Sequence, residues 1–139
     1  SNSEGSVVSN CIFTRTSNAP FWQSGGSILT NNLISYTSLV SNMTPGAESG
    51  NVLGVPSSEI YMNEANLNFD WTDDIHLQAT CVGVGMATDG TDVGIYGTSS
   101  PYKPGAVPFN PHFRSAAIAV ATDGNGDLPV NIRAAAQSN

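Results

Sequence analysis

The fold class read from the sequence is all-β: parallel strands stacked as the last coils of a β-helix, then a closing segment, then a C-terminal β-hairpin. Three observations predict it. No window sustains apolar residues at i, i+3 and i+4 between helix caps, and Gly or Pro interrupts most candidates. Short apolar runs separated by Asn, Ser and Gly clusters recur along the 139 residues instead, as strands and turns do. An Asn followed by two apolar residues also occurs three times, as Asn10-Cys11-Ile12, Asn32-Leu33-Ile34 and Asn51-Val52-Leu53.

The three Asn residues are spaced by 22 and then 19 residues. A recurrence near 20 residues is what stacked supersecondary units produce. Aliphatic side chains then point inward along the stack. Each Asn is expected at the turn entering a strand, where it tolerates left-handed geometry and hydrogen-bonds to the Asn of the next coil. Residues 17–26 form a Pro- and Gly-bounded loop carrying Phe21 and Trp22, and residues 41–50 form a second, turn-rich one. The second contains Asn42-Met43-Thr44, a glycosylation sequon in a eukaryotic secretory setting only.

After residue 50 the repeat fades. Residues 1–63 are assigned to terminal coils, 64–113 to capping and closure, and 114–139 to a hairpin, all as one continuous unit. Closure is required because exposed strand edges and a bare apolar stack invite aggregation. In the stretch Thr88 to Gly97, Asp89 and Asp92 are expected to cap backbone N–H groups, while Gly94 and Gly97 permit close backbone approach. Val93 and Ile95 are expected to share a core-facing side, with Tyr96 covering it. In the hairpin, Ile118 and Val120 alternate on one arm and Val130 and Ile132 on the other, around Asp123-Gly124-Asn125-Gly126-Asp127.

The formal charge of −7 comes from four basic and eleven acidic residues. A phosphate-tracking surface needs a basic stripe, whereas Arg15, Lys103, Arg114 and Arg133 are scattered singly, which argues against nucleic acid. An anionic membrane surface is disfavoured on the same ground. No apolar run approaches the ~20 residues of a spanning helix, so the chain is not expected to cross a membrane that way. The start at Ser1-Asn2-Ser3-Glu4-Gly5 reads as a processed end or the edge of a longer protein. Cys11 and Cys81 lack metal-type spacing and sit in apolar runs; they read as buried thiols, with a disulfide as the alternative.

The ordered motifs carry a family resemblance. The Asn-apolar-apolar coils are followed by Val55 to Asn63, then Asp73-Asp74-Ile75-His76-Leu77, then Thr80-Cys81-Val82-Gly83-Val84-Gly85. Thr88 to Gly97 and Val107-Pro108-Phe109-Asn110-Pro111-His112 complete the series. Over residues 7 to 137 the chain resembles the C-terminal end of right-handed parallel β-helix proteins of the bacterial cell surface. It departs from their pattern at Cys81, where proline is usual, and at Met86. The resemblance implies a right-handed helix and export to the surface of a Gram-negative bacterium. Activity is not implied, because many such proteins have none assigned.

Candidate chemistry is sparse. Asp70, Asp73, Asp74 and His76 form the densest titratable cluster, and Glu64 lies nearby. An acid/base pair or a calcium site would use such groups, but Asp side chains also cap turns before strands, and that reading is adopted. Asp123-Gly-Asn125-Gly-Asp127 begins like a calcium loop and then lacks its later ligands, so it reads as a turn. Asp89 and Asp92 alone would leave most of a calcium shell unfilled. No cofactor is therefore expected. No nucleophile motif, metal-protease motif or P-loop is present, and no catalytic residue is assigned. Trp22, Phe21 and Tyr102 are loop aromatics of the kind that stack on sugar rings.

These readings lead to a non-catalytic surface module, structural or adhesive, whose partner is a glycan or another surface protein. The alternative is the end of a polysaccharide lyase or hydrolase with its active groove on preceding coils. A third expectation is a structural subunit whose β-helix is completed by another chain.

Overall fold

In a computed structural model, residues 5–22, 25–64, 66, 68, 70–103 and 110–136 are described. Val107, Pro108 and Phe109 of the motif series lie outside them. Eight short strands come first: β1 (Val7–Ser9), β2 (Ile12–Phe13), β3 (Phe21–Trp22), β4 (Ile28–Thr30), β5 (Leu33–Ile34), β6 (Val40–Ser41), β7 (Ala47–Ser49) and β8 (Val52–Leu53). They form three parallel sheets in the orders β1-β4-β7, β2-β5-β8 and β3-β6. The chain visits the sheets in the same order in each repeat. The protein is thus all-β with parallel sheets, and the only helix among the described residues is a 3-10 turn at Ser57–Glu59.

Side chains alternate across each strand. Leu29, Ile34 and Leu39 are buried in one cluster, with Val8, Phe13, Phe21, Tyr36 and Val40 packed around them. Phe13 meets Phe21 edge-on, at 5.2 Å between centroids and 73°. The opposite face of β2-β5-β8 carries Ile12, Leu33 and Val52. It packs into a second cluster with Ile60, Cys81, Ala87 and Val93. The segment after residue 57 therefore covers a sheet face lined by all three repeats.

The bend between the first two strands of each repeat explains the recurring Asn. Ile12 pairs with Leu33, and Leu33 with Val52, so Asn10, Asn31 and Gly50 occupy one column, and Cys11, Asn32 and Asn51 the next. All three residues of the first column are left-handed, with φ of 58°, 52° and 63°. A Cβ on Gly50 would run into Asn31 Oδ1, so glycine fits there. In the second column the amides form a ladder. Asn32 Oδ1 accepts from the Cys11 N–H (3.1 Å), and Asn51 Oδ1 accepts from the Asn32 N–H (3.0 Å) and Nδ2 (3.0 Å). Asn32 Nδ2 also donates to the Val8 carbonyl and Asn51 Nδ2 to the Leu29 carbonyl, at 3.0 and 2.8 Å. The two jobs expected of one Asn are divided between adjacent residues. Asn10 belongs to the left-handed column, while Cys11 is the register mate of Asn32 and Asn51.

β9 (Tyr61–Asn63) and β10 (Asp74–Leu77) pair antiparallel with an irregular register. From residue 78 the chain runs through turns. Here one expectation is corrected: residues 93–95 form no strand, and Val93 is buried (2% exposed) while Ile95 is open (51%). Gly94, at φ 92°, reverses the backbone between them and donates its N–H to the Asn10 carbonyl (2.8 Å). A Cβ on Gly94 would press on Ile12 Cδ1, and one on Gly97 would overlap the Asp92 carbonyl oxygen.

The chain divides into two compact units, residues 1–102 and 103–139. Residues 64–102 thus group with the repeats, and the hairpin strand begins earlier than residue 114. In the second unit, β11 (His112–Ile118) pairs antiparallel with β12 (Val130–Ala135). A bulge at Arg114 keeps Phe113 on the face of Ala116 and Ile118, opposite Ala134, Ile132 and Val130. Asp123 builds the turn, its Oδ1 accepting from the N–H groups of Asn125 (2.8 Å) and Asp127 (3.0 Å).

Candidate functional site: a tryptophan groove beside the β3–β6 sheet

Phe21 and Trp22 are adjacent in a strand, so they point to opposite faces. Phe21 is half-buried and points inward onto Phe13. Trp22 points outward and is 59% exposed, with Ser41 as its register partner on β6. The small Ser41 leaves room beside the indole. The loop from β2 to β3 is two residues longer than the loop from β5 to β6, because Ile12 pairs with Leu33 whereas Phe21 pairs with Val40. The longer loop carries Arg15, Asn18 and Pro20, which together with Trp22, Tyr36 and Ser38 line a groove of ≈ 480 Å³.

Arg15 is held from within its own loop. Its Nε donates to Ser17 Oγ (3.1 Å). With the Asn18 amide oriented to satisfy both ends, Asn18 oxygen accepts from Arg15 Nη2 (2.8 Å) and its nitrogen donates to the Ser17 carbonyl (2.9 Å). Ser38 Oγ donates to the Val40 carbonyl (2.9 Å) and keeps its lone pairs for a ligand. Of this set only Trp22 stands out in the sequence as a contact residue. Arg15 carried a signal as well, being the single charged residue between positions 5 and 47.

Tyr102, the third aromatic, lies in a different place. It is half exposed and packs edge-on against Tyr96, at 5.8 Å and 75°. Tyr96 in turn stacks on His76, at 3.7 Å and 16°. Asp74 Oδ1 lies 2.6 Å from His76 Nδ1 and accepts from the His76 N–H (3.1 Å). The His76 side chain, then its N–H, holds the Asp74 carboxyl below the usual carboxylate range. Partial burial, with Tyr102 and the Asp74 charge, pushes the Tyr96 hydroxyl up. His76 and Tyr96 border a cavity of ≈ 450 Å³ whose wall includes Ile12, Tyr61, Leu77 and Val93.

Asp70, Asp89 and Asp92 bond within turns of the chain. Asp70 Oδ1 accepts from the Thr72 N–H and Oγ1, both 2.9 Å, and those bonds lower its carboxyl. Asp89 Oδ1 accepts from Thr91 Oγ1 (2.7 Å) and the Thr91 N–H (3.1 Å), with the same effect. Asp92 Oδ1 accepts from the Gly85 N–H (2.9 Å). Among the described residues, no group of three or more His, Cys, Asp or Glu is placed to hold a metal ion. Cys11 and Cys81 are both free thiols; Cys81 is buried, and partial burial raises the Cys11 thiol. No helix among the described residues is long and apolar enough to cross a membrane. The chain matches no protein-family model, no curated protein and no solved structure.

Proposed function

We propose that this chain is the terminal part of a right-handed parallel β-helix module displayed on a bacterial cell surface, and that it binds glycan without cleaving it. The parallel sheets, the fixed order in which the chain visits them and the amide ladder through Asn32 and Asn51 support the β-helix. The observation that carries glycan binding is Trp22: an outward indole above a small Ser41, in a groove whose other walls bear hydroxyl, amide and guanidinium groups. Sugar rings offer an apolar CH face to stack on an indole and a rim of hydroxyls to hydrogen-bond, and the groove supplies both.

Calorimetric titration of the chain against a panel of neutral and acidic polysaccharides tests the reading. Binding is expected to at least one, and Trp22→Ala should weaken it about fivefold to tenfold, since ring stacking contributes roughly 1 kcal/mol. Absence of binding across the panel, or full affinity in Trp22→Ala, would refute it.

A further inference from the structure

The glycan reading above leaves the class of sugar open, and Arg15 narrows it. We infer that the Trp22 groove selects an acidic sugar, a uronate whose carboxylate docks on the Arg15 guanidinium while its ring lies on the indole. This inference rests on the proposed glycan site and goes further by naming what the site discriminates.

Three observations carry it. First, the groove lies in a part of the chain without acids: residues 5–47 contain no Asp, Glu or Lys and one Arg, Arg15. The eleven acidic residues that give the chain its charge of −7 stand at position 4 or after position 47. Second, Arg15 has no carboxylate partner among the described residues; its bonds go to a hydroxyl and an amide. Third, the donor count favours a flat anion. A guanidinium has five N–H groups. The Nε–H is taken by Ser17 and one Nη2–H by Asn18, which leaves both N–H groups of Nη1 and one of Nη2. Two parallel N–H groups on one edge match the two oxygens of a carboxylate. The bonds to Ser17 and Asn18 also fix the plane of the fork before any ligand arrives, which reduces the ordering cost of binding.

The test titrates the full chain with oligogalacturonate, the same oligomer fully methyl-esterified, a neutral galactan and dextran sulfate. The free acid should bind, and esterification or Arg15→Gln should each weaken it about tenfold or more, the range of a charge-assisted pair. Arg15→Lys should restore only part, because an ammonium keeps the charge and loses the fork. Arg15 is exposed, so circular dichroism of Arg15→Gln should match the parent. Equal affinity for free and esterified oligomer, or full affinity in Arg15→Gln, overturns the uronate inference while leaving glycan binding intact. Binding of dextran sulfate without oligogalacturonate also overturns it, in favour of sulfate. Failure of all four ligands overturns both the inference and the glycan reading.

Discussion

Asn32→Leu tests whether the amide ladder holds the parallel repeats together. Leucine keeps the branched skeleton of asparagine with methyl groups in place of the amide atoms, and the side chain is fully buried, so the substitution removes every polar atom of the side chain. Three side-chain bonds disappear: acceptance from the Cys11 N–H, donation to the Val8 carbonyl and donation to Asn51 Oδ1. The Cys11 N–H is then a donor without this acceptor, at about 1–3 kcal/mol. Asn51 Oδ1 still accepts from the Asn32 N–H, so its loss is smaller, about 0.5 kcal/mol, and the Val8 carbonyl adds about as much. The expected destabilisation is about 2–4 kcal/mol. In urea, with a slope of roughly 1–3 kcal/mol/M, the midpoint should fall by about 1–2 M with the slope unchanged. Asn10→Gly is the matched control. It keeps the left-handed bend, and it removes bonds only to Thr88 near the surface, so it should cost under about 1 kcal/mol. A loss below about 0.5 kcal/mol in Asn32→Leu, or a larger loss in Asn10→Gly than in Asn32→Leu, would refute the division of labour between the two columns.

Three further outcomes follow from the geometry. Gly94→Ala places a Cβ at φ 92° against Ile12 and should cost about 1–3 kcal/mol, whereas Gly124→Ala meets nothing nearby and should stay within about 0.5 kcal/mol; urea titration of the pair decides it. Phe21→Ala should lose about 2–4 kcal/mol by opening the cluster around Leu29 and Ile34, while Trp22→Ala should leave stability within about 0.5 kcal/mol; equal losses would mean that the assigned faces are reversed. Asp74 and Asp89 both have carboxyls lowered by hydrogen bonds, from His76 and Thr91 respectively, relative to the ordinary 3.8. Depressed folded values mean that their contribution is present above the unfolded value and is lost as pH falls through the folded one. Stability should therefore decline as the pH falls below about 4, and Asp89→Asn should flatten that decline; an unchanged acid limb would remove the role given to Thr91.

The sequence made the repeats visible because a backbone constraint left a polar residue where strands prefer apolar ones. Asn10, Asn31 and Asn42 are left-handed and not glycine, and Asn is among the few side chains that tolerate that conformation. The alignment of the first copy with the others was off by one because two columns with different physics stand side by side. Where both residues of the bend are amides, as in Asn31-Asn32, either can be matched to Asn10. Only the strand register, Ile12 with Leu33 and Leu33 with Val52, decides, and it assigns Cys11 to the ladder. Cys11 takes part in the ladder through its backbone N–H, which donates to Asn32 Oδ1 and asks nothing of its side chain. The hairpin was legible for a simpler reason: alternation and the Asp-Gly-Asn-Gly-Asp turn act locally, and Asp123 closes it with bonds to its own neighbours. The turns of residues 78–102 were not legible as turns. Val93-Gly-Ile95 alternates like a strand, and only the approach of Gly94 to Asn10 and Ile12 breaks the alternation.

The groove shows why a site can be half visible in a sequence. Period-two alternation requires Phe21 and Trp22 to face opposite ways, but the order Phe-Trp does not say which faces in. That is decided by partners distant in sequence: Phe13 edge-on to Phe21, and Val40 packed beside it from the next repeat. Once Phe21 is inside, Trp22 is outside by geometry alone, over Ser41. The groove itself comes from a difference of two residues between corresponding loops, which in the sequence shows only as an uneven repeat spacing. Irregular spacing weakens a repeat signal, yet here it has a physical product, since the surplus residues of the first loop stand beside the indole with Arg15 and Asn18 among them. In a stack of near-identical repeats, the strands must keep register to preserve the ladder, so length can vary only in the loops. A departure from the period therefore points to the loops, where a module of this kind can carry a binding site without disturbing the sheets that support it.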